Sequence, residues 1–166
     1  MRGRSNTSSI FRESLDHPTD TLLPGSKLRV NKVIGISQQL ISWKNSEDPA
    51  PGVFSFGLNP NGSNQFFLEW NRSQIYWSSE VWNGKSFGLI RNRNFIFNYT
   101  FVSSKNESER YFTYYPCNPS NLAKYQLDQT GQLKAYLMSG VSVWNTLWTA
   151  PTNRSDVYAL CIWRVP

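Results

Sequence analysis

Hydrophobic and polar residues alternate along much of the chain after residue 50, a pattern that predicts half-buried β-strands. The clearest alternation covers residues 94–102. One face of this stretch is aromatic and carries Phe95, Phe97, Tyr99 and Phe101. The other face carries Ile96, Asn98, Thr100 and Val102. Asn98 is therefore predicted to point away from the aromatic face, where a glycan would not disturb a core.

Similar alternation occurs in residues 53–58, 110–115 and 132–137, and turn signals separate these segments. The turn signals are Asn61-Gly62, Asn83-Gly84 and the segment 128–131, in which Gly or Asn can adopt a positive φ. Residues 122–128 fit a strand followed by a hairpin better than a helical turn. Short strands at this spacing predict an all-β, antiparallel fold, either a prism, a sandwich or a barrel.

Composition agrees with this fold and limits the choice of partners. Of the 166 residues, 39% are hydrophobic and 15% aromatic, enough for one globular domain. The net charge is +6, but Arg2, Arg4 and Arg12 place part of it in the N-terminal residues. Because no dense Lys/Arg stripe is present, nucleic acid is not an expected partner. No apolar run is long enough to span a membrane, and the N-terminus lacks the apolar segment of a signal peptide.

Six Asn-x-Ser/Thr sequons indicate the compartment better than the two cysteines do. They begin at Asn6, Asn61, Asn71, Asn98, Asn106 and Asn153. Chance alone would give roughly three sequons in a chain of this composition. The excess favours a secreted glycoprotein, and an Asn- and Ser-rich chain without glycans stays open as the alternative.

The only histidine, His17, lies between two aspartates and directly before a proline. Ser14, His17 and Asp20 are the residue types of a nucleophilic triad, but proximity in sequence does not assemble one. One His with two Asp is also a weak metal site. Since Pro18 biases His17 to an extended conformation and the aspartates can accept backbone N–H bonds, we predict a structural turn here.

No other signature predicts an enzyme or a cofactor. The chain has no phosphate-binding GxxxxGK[ST], no GxGxxG, no HExxH and no CxxC. A glycosidase-type carboxylate pair is not excluded, but nothing favours any two of the 11 acids. Aromatic residues could bind sugars or peptides, although large aromatics are more often core. The candidates are Trp70, Tyr76, Trp77, Trp82, Trp144 and Trp148.

Several short segments, taken in order, resemble one protein family. SLDHPTDTLLPG at 14–25 resembles the segment that closes the bulb-type lectin domain of plant G-type lectin S-receptor-like serine/threonine kinases and S-locus glycoproteins. LISWKNSEDPAPG at 40–52 and YWSS followed by WNG at 76–84 resemble the blocks that follow it in this family. YFTY at 111–114, WTAP at 148–151 and DVYALC at 156–161 continue the resemblance.

The resemblance implies an extracellular, β-rich, lectin-like ectodomain that is secreted or anchored in a membrane. It divides the chain into a tail at 1–10, the end of the bulb-type lectin domain at 11–36, the S-locus glycoprotein domain at 37–155 and the start of an EGF-like module at 156–166. In this family the ectodomain perceives extracellular ligands, including pollen-coat peptides in self-incompatibility, and signals through a cytoplasmic kinase, often by dimerisation. The expected partners are therefore a peptide or glycan ligand and a second receptor, identical or different.

Departures from the family pattern restrict what carries over. The mannose-binding motif, the membrane anchor and the kinase are not in this sequence, so we expect no catalysis, no cofactor and no assignable ligand contacts. Cys161 stands where the EGF-like module begins, but its usual partners are absent. Pairing with Cys117 and free or mispaired thiols both stay open. A truncated soluble decoy or a non-functional gene fragment is the alternative to a working recognition module.

Overall fold

A computed structural model of the chain describes residue 15 and residues 17–88, 96–103, 108–138, 140 and 142–153. The twelve regular elements in these ranges are all β-strands. Every pairing between them is antiparallel. The prediction of an all-β antiparallel fold is therefore confirmed.

The twelve strands form three sheets of four strands each. Sheet A has the order β1 (Thr21–Leu22), β10 (Leu122–Leu127), β11 (Leu133–Met138) and β12 (Asn145–Ala150). Sheet B has the order β3 (Ile36–Ser37), β2 (Leu28–Asn31), β9 (Glu109–Pro116) and β8 (Phe97–Ser103). Sheet C has the order β4 (Gln39–Trp43), β5 (Pro51–Leu58), β6 (Phe66–Trp70) and β7 (Gln74–Ser78).

Side chains from all three sheets meet in one hydrophobic core. Tyr125 of sheet A contacts Tyr114 of sheet B edge to face, with ring centroids 4.8 Å apart. Phe66 of sheet C contacts Phe112 of sheet B in the same way at 5.1 Å. Such edge-to-face pairs stabilise the folded state by more than the burial of their surface area alone would. Three four-stranded antiparallel sheets therefore share one core.

Strand β8 has the two faces that the alternation predicted. Phe97 is 4% exposed, and Tyr99 and Phe101 pack against the core from the same face. Asn98 lies on the other face and is exposed. Phe95, which the prediction also placed on the aromatic face, lies outside the described residues. The period-two pattern therefore predicted the orientation of this strand correctly, but Ile96, which was predicted on the outer face and directly precedes the strand, packs against the core.

Strand β5 differs from its predicted pattern, because all five residues from Phe54 to Leu58 are buried. The face opposite the aromatic residues carries small residues, and long side chains of the neighbouring strands cover them. A Glu69 carboxylate oxygen lies 3.5 Å from the Ser55 hydroxyl. A Cβ added to Gly57 would lie 2.7 Å from Gln39. When both faces of a central strand are covered, the pattern of apolar and polar residues in its sequence does not show which face lies toward solvent.

The β10–β11 hairpin confirms the strand and turn predicted for residues 122–131. Asp128 closes the turn by accepting hydrogen bonds from the Thr130 and Gln132 amides at 2.9 and 3.0 Å. The Lys134 ammonium lies 2.7 Å from the second carboxylate oxygen. Burial alone would raise the pKa of Asp128, but the Lys134 and Thr130 hydrogen bonds and the Lys134 charge outweigh burial and lower it.

Three tyrosines join sheets A and B inside the core. The Tyr99 and Tyr125 hydroxyls are 2.6 Å apart, and the Tyr114 hydroxyl donates to the Leu22 carbonyl at 2.8 Å. Burial raises the pKa of Tyr99 to about 12, although the hydrogen bond with Tyr125 lowers it. Burial also raises the pKa of Tyr114 and of Tyr125 well above the ordinary value. The cluster is therefore stable only while its hydroxyls stay neutral.

This cluster predicts a loss of stability at alkaline pH. Between about pH 10 and pH 12 the unfolded chain releases tyrosine protons that the folded chain retains, so the free energy of unfolding falls as pH rises. We expect a slope of at least about 1 kcal/mol per pH unit, measured by urea unfolding at several pH values. A Tyr99→Phe variant removes one titrating group and should give a shallower slope. An equally steep slope in Tyr99→Phe would contradict this assignment.

Candidate functional site

An open groove of about 660 Å³ lies where sheet A meets sheet B. The turn after β1, the end of β9, the start of β10 and the segment before β12 form its walls. The lining residues are mostly apolar and include three prolines and two aromatic side chains. They are Leu15, Leu23, Pro24, Tyr115, Pro116, Pro119, Asn121, Leu122, Ala123 and Trp144.

The turn between β1 and β2 forms one wall. The Ser26 amide donates to the Leu23 carbonyl at 3.0 Å, which closes a tight turn around Pro24-Gly25. Gly25 has a φ of +84°, which favours glycine, and a Cβ there would lie 3.1 Å from the Tyr115 hydroxyl. The Gly25 amide also donates to the Tyr114 carbonyl at 3.0 Å. These bonds attach the turn to β9 and leave Leu23 exposed at the groove.

The loop from β9 to β10 forms the opposite wall. The Cys117 amide donates to the Ile96 carbonyl at 2.8 Å and so extends the β8–β9 pairing past Pro116. The Asn118 side chain accepts the Ser120 amide at 3.0 Å, and the Asn118 carbonyl accepts the Asn121 amide at 3.0 Å. These bonds make a compact asparagine turn around Pro119, so the wall holds its shape without regular secondary structure.

Trp144 provides the largest side chain of the groove and has a cation beside it. Its ring meets that of Tyr136 edge to face at 6.4 Å, and the Lys124 ammonium lies 5.0 Å from its centroid. Lys124 also donates to Gln126 at 3.0 Å, and Gln126 donates to the Asp20 carboxylate at 2.8 Å. Among the described residues, no carboxylate forms a salt bridge with Lys124. The groove therefore has a mostly apolar lining, and the Lys124 ammonium lies near the Trp144 ring without itself lining the groove.

The lining residues suit binding rather than catalysis. Among the described lining residues, the polar side-chain groups are the Tyr115 hydroxyl, the Asn121 amide and the indole N–H of Trp144. Leu23, Tyr115, Leu122 and Trp144 are each between 38% and 59% exposed. Exposed apolar groups of this size gain free energy when a ligand removes them from water. An amide and a phenol can orient such a ligand by hydrogen bonding.

The region around His17 is structural in the described residues. His17 is exposed, and Asp20 is 7% exposed. The Asp20 carboxylate accepts hydrogen bonds from the Thr19 and Thr21 hydroxyls and from Gln126. We predicted backbone N–H donors for this aspartate. The described partners of the Asp20 carboxylate are side chains instead, because the carboxylate points toward β10. Ser14 and Asp16 lie outside the described residues.

Five of the six aromatic ligand candidates pack against the core, and only one of the six lines the groove. Trp70, Tyr76, Trp77, Trp82 and Trp148 are the five core-packed residues. Trp144, the sixth, lines the groove and is 38% exposed. Only one feature of the sequence pointed to Tyr115 as a further groove residue. It follows the buried Tyr114 in β9, so the period of two places its side chain on the other face of the strand. Nothing in the sequence indicated that Pro24, Pro116 and Pro119 line a groove.

Of the six sequons, the five from Asn61 onward are glycosylation candidates, and the asparagines of four of them are described and exposed: Asn61, Asn71, Asn98 and Asn153. Asn106 lies outside the described residues, as do Asn6 and Cys161. Cys117 is exposed. Glycosylation of the five asparagines and the state of Cys161 stay predictions.

Metal ligands and membrane spans were searched within the described ranges. No group of three or more His, Cys, Asp or Glu side chains is placed there to hold a metal ion. In the same ranges, no helix has the length and apolarity that crossing a bilayer requires.

Comparison with known proteins identifies the relatives of this chain. The family model of the S-locus glycoprotein domain matches residues 77–162, and that of the D-mannose binding lectin matches residues 1–44. A G-type lectin S-receptor-like serine/threonine-protein kinase of Arabidopsis thaliana is 40% identical over 164 residues. This alignment covers 96% of the chain and 19% of the kinase.

A glycoprotein is among the relatives as well. An S-locus-specific glycoprotein of Brassica oleracea is 30% identical over 165 residues, which cover 97% of the chain and 38% of the glycoprotein. The chain thus spans about a fifth of the kinase relative and well under half of this one. The 166 residues match ectodomain sequence and contain no kinase domain. The chain belongs to the G-type lectin S-receptor-like kinase and S-locus glycoprotein family and contains the end of the lectin region and the S-locus glycoprotein domain.

Proposed function

We propose that this chain is a non-catalytic extracellular recognition module that binds a peptide in the groove between sheets A and B. The observation that carries the proposal is the groove itself. It is concave and mostly apolar, has a volume of about 660 Å³ and is open to solvent. Sites for small ligands and peptide segments are concave, mostly apolar and provided with a few polar groups. The exposed asparagines of four sequons support an extracellular location.

The chemistry of the walls favours a peptide over a carbohydrate. A sugar needs many hydrogen-bond partners, and the described lining offers polar side-chain groups only from Tyr115, Asn121 and the indole N–H of Trp144. Proline and aromatic walls accommodate apolar side chains of an extended chain. Lys124, close to the Trp144 ring, complements a carboxylate on the same ligand. The preferred ligand is therefore an extended peptide with one or two large apolar side chains beside an acidic residue.

The role of such a module follows from its relatives and is part of the proposal. Several relatives are named as receptor-like kinases, in which an ectodomain would pass binding to the kinase. The proposed role is perception of an extracellular peptide in pollen recognition, self-incompatibility or defence. Pairing with a second receptor, identical or different, would carry the signal, and attachment to the membrane would come from segments outside these residues.

Peptide display on the secreted, glycosylated chain tests the proposal. We expect selection to enrich peptides that combine aromatic or leucine side chains with an acid. Leu122 is 59% exposed in the groove, and Leu122→Asp should reduce binding of these peptides at least about tenfold. Ile75→Asp is the matched control, because Ile75 is 49% exposed on sheet C, away from the groove.

Two results would contradict the proposal. One is equal binding by the Leu122→Asp and Ile75→Asp variants, which would place the site elsewhere. The other is enrichment of glycans on an array while display yields no peptide, which would assign the groove to a carbohydrate.

A further inference from the structure

We infer that Asn98 carries a glycan whose first sugar packs on the ring of Tyr115, so that this glycan is part of the folded structure. The inference rests on the proposed extracellular location, because only a secreted chain meets the glycosylation machinery. It goes beyond that location, since it singles out one sequon and assigns it a protein partner. The geometry of strands β8 and β9 carries it.

Asn98 and Tyr115 lie directly opposite each other in the antiparallel β8–β9 pair. The Cys117 amide bonds to the Ile96 carbonyl in the same register. Because antiparallel pairs of one type recur every two residues, Asn98 and Tyr115 also form a hydrogen-bonded pair, with Cα atoms about 5.5 Å apart. Opposite residues project from the same face of a sheet. A sugar on the Asn98 amide nitrogen therefore begins beside the Tyr115 side chain.

Both side chains are available to each other and to solvent. Asn98 is exposed, and Tyr115 is 54% exposed although it is a large aromatic residue. The Tyr115 hydroxyl lies near Gly25, which bonds to the Tyr114 carbonyl on the β2 side of β9. Asn98 lies on the β8 side. The turn at Gly25 thus supports one side of the tyrosine, and a sugar from Asn98 approaches from the other.

The chemistry of the contact is that of a pyranose on an aromatic ring. The C–H groups on one face of N-acetylglucosamine form an apolar patch with a partial positive charge, and this patch packs on the negative face of a phenol ring. Thr100, which completes the sequon, is exposed on the same face as Asn98. Tyr99 points to the opposite face and bonds to Tyr125 in the core. The middle residue of the sequon therefore leaves the space beside Asn98 open.

The other described sequons have a different setting. Asn71 and Arg72 form the β6–β7 turn with φ values of 50° and 55°, and Asn71 projects from the end of a hairpin. Asn61 lies in the turn between β5 and β6, where its amide bonds to the Asn59 side chain. Asn153 follows β12 and lies outside any strand. None of these three asparagines lies within a β-ladder opposite an exposed tyrosine. Asn71 is therefore the matched control site.

A glycan at Asn98 would also protect an edge. Among the described strands, β8 is the last of sheet B, and a strand at a sheet edge can associate with another chain. Bulk on the outer face beside this edge hinders a second molecule from docking there. Because Tyr115 also lines the groove, the same sugar would form the margin of the groove on the β8 side.

Trimming the glycan in two steps tests the inference. The secreted chain, made in cells that produce only oligomannose glycans, is treated with endoglycosidase H, which leaves the first sugar, or with peptide N-glycosidase F, which removes it. In a variant whose only sequon is Asn98, we expect Tm to be unchanged by the first enzyme and lowered by about 2 °C or more by the second. Thr100→Ala, which abolishes this sequon, should have the lower Tm without treatment.

Variants at Tyr115 separate the contact from a general effect of glycosylation. Tyr115→Phe keeps the ring and should keep the Tm difference between the two enzyme treatments, whereas Tyr115→Ala should remove it. A variant with only the Asn71 sequon should show no difference that depends on Tyr115. The inference is wrong if Tyr115→Ala keeps the difference, or if mass spectrometry finds Asn71 occupied and Asn98 empty. If no sequon is occupied, the extracellular location falls together with the inference.

Discussion

Replacing Phe66 by alanine is expected to lower the free energy of unfolding by about 3–5 kcal/mol and to reduce secretion sharply. Phe66 is fully buried on β6 at the centre of the core. Its ring lies 4.6 Å from that of Phe87, 4.8 Å from Phe56 and 5.1 Å from Phe112. Truncation removes these contacts and leaves a cavity that the neighbouring rings, held by two strands and a loop, cannot close.

Ile75→Ala is the matched control for Phe66→Ala. Ile75 belongs to the same sheet but is 49% exposed, so its truncation should cost less than about 1 kcal/mol. Urea unfolding of the two purified variants against the original chain measures both values. A loss of less than about 1.5 kcal/mol in Phe66→Ala would show that sheets B and C do not share the core described here.

Replacing Arg110 by methionine is expected to cost about 3 kcal/mol, although the change keeps most of the side-chain volume. Arg110 is 2% exposed, and burial lowers the pKa of its guanidinium, which nevertheless stays charged at neutral pH. The guanidinium donates to the Asn59 carbonyl at 2.7 Å and to the Ser63 carbonyl at 3.3 Å. Methionine would leave these carbonyls of the β5–β6 loop without their donor.

A surface cation provides the comparison for Arg110. Lys44 forms an exposed ion pair with Asp48 at 3.4 Å, so Lys44→Met should change stability by less than about 0.5 kcal/mol. Hydrogen exchange of the 59–65 amides adds a local readout, since protection there should fall in Arg110→Met and not in Lys44→Met. Equal stability of the two variants, or undisturbed hydrogen exchange in both, would contradict the proposal that Arg110 links sheet B to the β5–β6 loop.

Local pattern was enough to predict five of the twelve described strands, and distance along the chain explains how the strands pair. Strand β8 and the β10–β11 hairpin follow from alternation and from turn residues, which act over a few positions. The pairing of β1 with β10 and of β2 with β9 joins segments about 80–100 residues apart, and only packing in the core selects these partners. No period in the sequence encodes such pairings.

The groove was harder to predict than the fold for the same reason. Pro24 and Pro119 face one groove but are far apart in sequence, and each reads locally as an ordinary turn proline. Trp144 was a ligand candidate among six aromatics, yet nothing local separated it from the five that pack against the core. The DHPTD segment illustrates the converse, because Asp20, one of its catalytic residue types, accepts a hydrogen bond from Gln126 of β10, whereas His17 is exposed.

Calorimetric titration of a display-selected peptide into two tryptophan variants tests whether the groove between sheets A and B recognises a peptide. Trp144 in the groove and Trp43 on sheet C are 38% and 39% exposed, so the two truncations remove comparable surface. We expect Kd to rise at least about tenfold in Trp144→Ala and to stay within about twofold in Trp43→Ala. An unchanged Kd in Trp144→Ala, or an equal loss in both variants, would contradict the assignment of the groove as the recognition site.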